Sequence, residues 1–239
     1  MENLKPYNNI ENKKKQIKNM FNNIADEYDF LNQLISFRMD YIWRKIAIKK
    51  ITNNPKNILD IATGTADLAI SAAKNTNAKI IGIDISKKML NIGEMKILNE
   101  KLTNRITLQL ADAEKLPFNN NSFQAITAGF GVRNFEDVDQ GLKEMYRVLD
   151  LNGILIILEP SSPSVFPIKQ LFNIYFNIIV PLIGKIISKD TNAYQYLSES
   201  VKLFPDKEKF LNKLKKVGFK NCKYSKLTFG SVILYIAEK

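Results

Sequence analysis

The chain has 239 residues, 45% of them hydrophobic and 25% charged; that balance excludes wholesale disorder and suits one large domain, or one domain with a small insertion. Its formal net charge is +11, which draws a protein to anionic surfaces, yet Lys, Asn and Ile recur everywhere, as codon bias alone would produce. With no histidine and a single cysteine, Cys222, His-based triads, an internal disulfide and most zinc sites are excluded, so no metal is expected and a reducing cytoplasm is.

The amino terminus, Met1 to Lys18, is polar and has no apolar core of a signal peptide. A helical prelude is expected over about Ile17 to Ile51. From Asn57 the pattern alternates short β-branched runs with helical stretches. Strands are expected at Asn57–Ala62, Lys79–Ile83, Ile106–Leu110, Ala125–Gly129 and Ile154–Glu159, each rich in Ile, Leu or Val as strands covered on both faces should be. Helices are expected between them at Asp67–Asn75, Lys87–Lys101 and Asp137–Leu149, the second capped by Ser86 and the third by Glu136 or Asp137. Strands alternating with helices imply a parallel sheet with right-handed crossovers.

The apolar stretch Leu171 to Ile187 is broken by Asn173, Asn177, Pro181 and Lys185, and falls short of a spanning helix of about 18 or more apolar residues. A membrane crossing is not expected; surface contact stays open. The tail predicts a helix over Asp206–Val217, stopped by Gly218, then strands at Lys223–Lys226 and Val232–Ala237, too close together for a crossover and therefore an antiparallel hairpin. The fold class is therefore α/β: a Rossmann-like, seven-stranded sheet, mostly parallel with an antiparallel last strand and helices on both faces. One domain over 1–239 is expected, divided into the prelude (1–51), a nucleoside-binding core (52–160), an apolar helical insertion (161–203) and a terminal helix with hairpin (204–239).

The first strand runs into Thr63-Gly64-Thr65-Ala66-Asp67. Gly64 permits a sharp turn and close backbone approach to a ligand, and the helix start beyond it offers unpaired N–H groups. Asp60 sits where a carboxylate either supports this loop or receives an ammonium group. The loop lacks a third glycine and a Walker lysine, so it suits an uncharged nucleoside with an amino-acid tail better than a pyrophosphate. Asp84, twenty residues past Gly64, ends the second strand and can accept from both ribose hydroxyls. After the third strand, Asp112 can take an adenine amino group and Ala113 its ring edge. All lie at carboxyl ends of neighbouring strands, the ligand crevice of an open α/β sheet.

Further motifs narrow the class. Tyr28-Asp29-Phe30-Leu31-Asn32 with Ser36 and Trp43, Leu59 through Asp67, Ala111 through Phe118, Phe130-Gly131-Val132-Arg133-Asn134 and Met145 through Leu149, ending at Glu159, together resemble the menaquinone and ubiquinone biosynthesis C-methyltransferases, a class I S-adenosyl-L-methionine-dependent family, from about residue 14 onward. The resemblance implies that cofactor as the ligand of Thr65, Asp84, Asp112 and Ala113, and a polyprenylated quinol as acceptor. Asp40 stands where the family often has histidine, Asp150-Leu151-Asn152-Gly153 replaces Lys-Pro-Gly-Gly, and Gly129 replaces a serine common in ubiquinone-type members, which favours the menaquinone branch.

The reaction this implies is C-methylation of demethylmenaquinol to menaquinol; a ubiquinone-precursor benzoquinol, or a non-catalytic quinone- or RNA-binding protein of the same fold, are the alternatives. Arg133 would stabilise the quinol oxygen's charge and Asn134 would orient its hydroxyl; otherwise Arg133 is a surface partner of Glu136 and Asn134 a turn residue. Tyr28, Asp29 and Phe130 are expected at the substrate, or else Tyr28 and Asp29 are a helix-face aromatic and a surface acid. The insertion, with Phe166, Leu171, Phe172, Tyr175 and Phe176, is the natural wall for an isoprenoid tail or simply core packing. Scattered lysines without interleaved exposed aromatics argue against nucleic acid. Peripheral contact with the inner membrane face and a homodimer are compatible with the sequence.

Overall fold

A computed structural model describes residues 4–7, 10–187, 190–205 and 207–239. Two helices, α1 (Lys13–Ile35) and α2 (Met39–Ile48), precede the sheet. Its strands are β1 (Asn57–Ile61), β2 (Lys79–Asp84), β3 (Ile106–Leu110), β4 (Phe123–Gly129), β5 (Leu149–Pro160), β6 (Lys220–Leu227) and β7 (Val232–Glu238), in the order β3-β2-β1-β4-β5-β7-β6. Strands β3 to β5 of that row pair in parallel, and β7 slots antiparallel between β5 and β6. This is the class I methyltransferase sheet expected above.

Three crossover helices alternate with these strands: α3 (Asp67–Asn75), α4 (Lys87–Asn99) and α5 (Val138–Val148). The Ser86 hydroxyl accepts from the Met89 N–H at 3.3 Å, and Asp137, not Glu136, caps α5 by accepting from Gln140 N at 3.0 Å. Because strand side chains alternate faces, Ile58 and Ile156 pack toward α2 and α3, whereas Leu59 and Ile157 join Leu142 and Met145 of α5. Covering both faces explains why Ile58, Leu59, Asp60 and Ile61 are all buried.

Three strands start earlier than expected, β4 at Phe123, β5 at Leu149 and β6 at Lys220. Phe123 pairs with Leu149 before a register shift, so Asp150–Gly153, which reads as a turn, lies inside β5 with its polar side chains outward. The insertion is α6 (Ile168–Ile174), a π-helical turn (Tyr175–Ile179), α7 (Val180–Ile187) and α8 (Thr191–Leu203). With α1 it builds a third apolar layer, in which Ile17, Met20 and Ile24 meet Val180, Tyr194 and Tyr196. The tail helix is α9 (Lys207–Val217); Asp206, its expected first residue, lies outside the described residues. No described helix is long and apolar enough to cross a membrane.

Candidate active site

The carboxyl ends of β1 to β4 open into a narrow cleft lined by Gly64, Asp84, Asp112, Ala113, Phe130 and Asn134, with Lys14 and Tyr28 of α1 above it. The turn after β1 places Ala62, Gly64 and Ala66 at φ 52°, 55° and 68°. A Cβ on Gly64 would meet nothing within 4 Å, so glycine serves the left-handed backbone here and leaves room in front of the loop. At Gly131 the reason is contact: a Cβ there would lie 2.4 Å from that of Ala62.

Of the two roles expected for Asp60, the geometry supplies the first. Its oxygens accept from Thr63 Oγ1 (2.5 Å) and Thr127 Oγ1 (2.6 Å), and it stands beneath the loop rather than in the cleft. Burial pushes its carboxyl up to about 6, against the two threonine hydroxyls. A carboxyl whose proton is held more tightly in the folded chain favours folding below its unfolded value near 4, and loses that contribution as pH rises through 6; over ~2 pH units this is about 3 kcal/mol. The amide of Asp60→Asn does not titrate, so urea unfolding of this variant should gain on the parent by about 2 kcal/mol between pH 4.5 and pH 7.5. A pH-independent difference would contradict the assignment.

Asp84 joins the loop to α4: Oδ2 accepts from Gly64 N at 2.9 Å and Oδ1 from Ser86 N at 2.8 Å. Burial raises its carboxyl, and these backbone N–H groups oppose that. A carboxylate has about four lone-pair sites, so capacity remains for two ligand hydroxyls. Asp112 accepts from Glu114 N (2.9 Å) and pairs with Lys14 Nζ (2.7 Å), which also reaches Glu114 (2.9 Å). Ala113 is buried beside them.

Thr65 and Asp29 do not face the cleft. Thr65 Oγ1 donates to Asp29 Oδ1 at 2.6 Å and accepts from Lys96 Nζ at 3.1 Å; Lys96 also pairs with Asp29 (2.8 Å) and Asp67. Arg44 continues the chain from Asp67 (3.4 Å) to Asp40. Both side chains, expected at the cofactor and the substrate respectively, here fasten α1 and α2 to the loop after β1 and to α4. Tyr28 points elsewhere because successive helix residues lie about 100° apart.

A second cavity, of about 420 Å³ and mainly apolar, adjoins the cleft. The two share the walls Phe21, Tyr28 and Phe130. Its charged lining residues are Asp40, Arg44 and Arg133. Arg133 is buried, not a surface partner of Glu136, whose carboxylate instead accepts from Lys13 N at 3.0 Å. Arg133 Nη1 pairs with Glu159 (3.0 Å) and donates to the Phe130 carbonyl, and its Nε donates to Ser200 Oγ at 3.3 Å. Burial pushes Glu159 up, and Arg133 opposes this. Burial likewise raises Tyr28, against Arg133, Asn32 and Arg44, so its phenol is neutral at neutral pH.

Asn134, expected beside the acceptor, lines the polar cleft and not the apolar cavity. Its Oδ1 is buried with no hydrogen-bond partner among the described residues, and a buried orphan acceptor is costly unless a ligand satisfies it. That orphan oxygen, Asp84 and the room in front of Gly64 fit a nucleoside carrying hydroxyl and amino donors. The cleft's one basic residue among the described residues, Lys14, is already held by Asp112 and Glu114, which does not fit a pyrophosphate.

Lys14, Lys96, Asp40, Arg44 and Glu159 were not anticipated in these places. Lys14, Ile17, Phe21 and Tyr28 do share one helical face by spacing, and Asp40 with Arg44 is an i,i+4 pair. Glu159 gives no such local signal.

The profile of the ubiE/COQ5 methyltransferase family matches residues 9–239. The chain is 45% identical over 240 residues to a demethylmenaquinone methyltransferase of Bacteroides fragilis, covering 100% of this chain and 98% of that one. It is 46% identical over 229 residues to one of Chlorobaculum tepidum, covering 93% and 92%. Among solved structures, a SAM-dependent methyltransferase of Aquifex aeolicus superposes with a TM-score of 0.63 at 15% identity, over 88% of this chain and 97% of that chain, a likeness of fold.

Proposed function

The chain belongs to the ubiE/COQ5 methyltransferase family, and from that premise we propose that it methylates a ring carbon of demethylmenaquinol, giving menaquinol. The observation that carries the reading is the pair of cavities, one polar at the strand tips and one apolar, sharing Phe21, Tyr28 and Phe130. S-adenosyl-L-methionine supplies an electrophilic sulfonium methyl when bound. Asp84, Asp112, Ala113 and Asn134 would hold it, while the α1, α6 and α8 side chains of the second cavity take the ring and its tail. Gly129 lines the polar cleft without a hydroxyl, and a Cβ there would already sit 3.1 Å from Leu68.

The ring carbon becomes nucleophilic as its neighbouring oxygen gains charge. The new carbon–carbon bond replaces the methyl–sulfur bond, whose pair returns to sulfur; the ring carbon's hydrogen then leaves to solvent as a proton, and the hydroxyl proton lost during attack returns to the ring oxygen, so that one net proton is released. A free phenol titrates near pH 10, so the site must support the charge during attack. Arg133, held in place by Glu159, presents a cation to that oxygen, and the neutral Tyr28 phenol can donate to it. Much of the rate comes from holding two reactants together.

Asp40 is the only carboxylate among the described residues of the apolar cavity, and it is the proton acceptor for the quinol hydroxyl. Burial alone would raise it, but Arg44 and the Ser36 hydroxyl (2.8 Å) outweigh that and hold it below its ordinary value. So weak a base suffices, because the ring hydroxyl becomes strongly acidic once the carbon has taken the methyl. Asp40→Asn should lower kcat about a hundredfold with KM little changed, and Asp40→His should restore part of it. Unchanged kcat in the asparagine variant removes Asp40 from the chemistry.

The quinol's tail resides in the bilayer, so the enzyme works at the cytoplasmic face of that membrane. The test is transfer of labelled methyl from S-adenosyl-L-methionine, offered demethylmenaquinol and a ubiquinone-precursor benzoquinol side by side. Label should enter menaquinol preferentially. No label in either quinol would leave only a binding protein of this fold.

A further inference from the structure

We propose that the rim of the apolar cavity is a membrane-docking face, formed by three exposed apolar tips on separate elements. The proposal rests on reading that cavity as the seat of a polyprenyl quinol. Phe37 in the α1–α2 turn, Leu171 on α6 and Phe229 in the β6–β7 turn are 73%, 63% and 75% exposed, yet all three line the cavity. A residue that is both cavity wall and surface marks the mouth. Large apolar side chains gathered there are what a monomer surface does not ordinarily carry.

The two aromatic tips stand on left-handed backbone. Phe37 and Arg38 have φ 50° and 60°, and Thr228 and Phe229 have φ 42° and 57°. L-residues avoid this region, and Thr228 is β-branched. The rings are not turned inward by it; both face solvent. Trp43 Nε1 donates to Thr228 Oγ1 at 2.8 Å, linking α2 to the second tip so that both edges of the mouth are held together.

Charge identifies the occupant. Each tip has a basic neighbour, Arg38 beside Phe37, Lys169 before Leu171 and Lys226 before Phe229, and all three are exposed. The segments 30–39, 160–187 and 220–231 contain no Asp or Glu. Aromatic or aliphatic tips among basic residues match an anionic lipid interface, where the rings enter the headgroup region and the cations meet phosphate. A second copy docked on the same face would bring basic rim against basic rim, and would seal the mouth through which a tail must enter. The bilayer does neither.

The experiment is sedimentation of the full chain with vesicles of phosphatidylcholine, alone or with about 30% phosphatidylglycerol. The parent should bind the anionic vesicles, less tightly as salt rises. The R38E/K169E/K226E variant should bind them about a hundredfold more weakly, while methylating a water-soluble, one-isoprene demethylmenaquinol as fast as the parent. Phe229→Ser should weaken binding to both vesicle types. Parent protein that stays in the supernatant, equal binding by the charge-reversed variant, or a dimer in sedimentation velocity that Phe229→Ser dissolves would each overturn the docking face. Vesicle binding without methyl transfer to either quinol would instead uphold the face and sink the reading of the site.

Discussion

Asp84→Ala should raise the dissociation constant for S-adenosyl-L-methionine by about a hundredfold to a thousandfold, as the loss of two charge-assisted hydrogen bonds to ribose hydroxyls implies. The side chain is half-buried at the tip of β2 and its oxygens already receive Gly64 N and Ser86 N, so it orients the cofactor loop as well as the ligand. Asp84→Asn retains one carbonyl acceptor and should fall between parent and alanine. Isothermal titration calorimetry measures both, with a thermal melt to confirm that the variants are folded. Binding within about threefold of the parent would mean that the ribose is held elsewhere.

The second large effect is at Arg133. Arg133→Ala should slow turnover by about a hundredfold to a thousandfold, the range for removing one oxyanion-stabilising donor, while cofactor affinity stays within about threefold. The variant also strands Glu159, which is 1% exposed, and an unpartnered buried charge costs about 3–5 kcal/mol. The double variant R133A/E159Q separates the two effects. It should regain most of the lost stability and none of the lost turnover. If turnover returned with stability, Arg133 would be a packing residue, and if cofactor affinity collapsed as in Asp84→Ala, the division of roles between the two cavities would be wrong.

The frame of the fold was legible because its signals are local. β-branched runs bounded by turn residues located the strands, α3 spans Asp67–Asn75 as expected, and the Ser86 cap is read directly from its position before Lys87. The close spacing of the last two runs predicted the antiparallel β7. Boundaries failed where pairing overrode composition: Asp150 to Gly153 is polar and turn-like, yet Leu149 has a strand partner in Phe123 and carries the chain into β5.

Within the site, positions set by backbone geometry were also legible. Gly64, Asp84, Asp112 and Ala113 occupy the strand tips and therefore the cleft. Side-chain pairing across long sequence separations was not. Arg133 meets Glu159 rather than its neighbour Glu136, and Asp29 meets Thr65 and Lys96; no spacing rule connects residues that the fold alone brings together. Lys14 sits among three consecutive lysines, Lys13 to Lys15, and nothing in their spacing places α1 over the cleft.

Everything catalytic depends on the two cavities meeting at the walls they share, Phe21, Tyr28 and Phe130. A crystal structure with S-adenosyl-L-methionine and oxidised demethylmenaquinone, which lacks the electron-rich carbon and cannot react, tests it most directly. The sulfonium methyl should face the walls shared by the two cavities, Tyr28 and Phe130, about 3–3.5 Å from the unsubstituted ring carbon, with the tail leading out past Phe37 and Phe229. A quinone ring seated away from those shared walls, or a nucleoside lodged in the apolar cavity, would contradict the account.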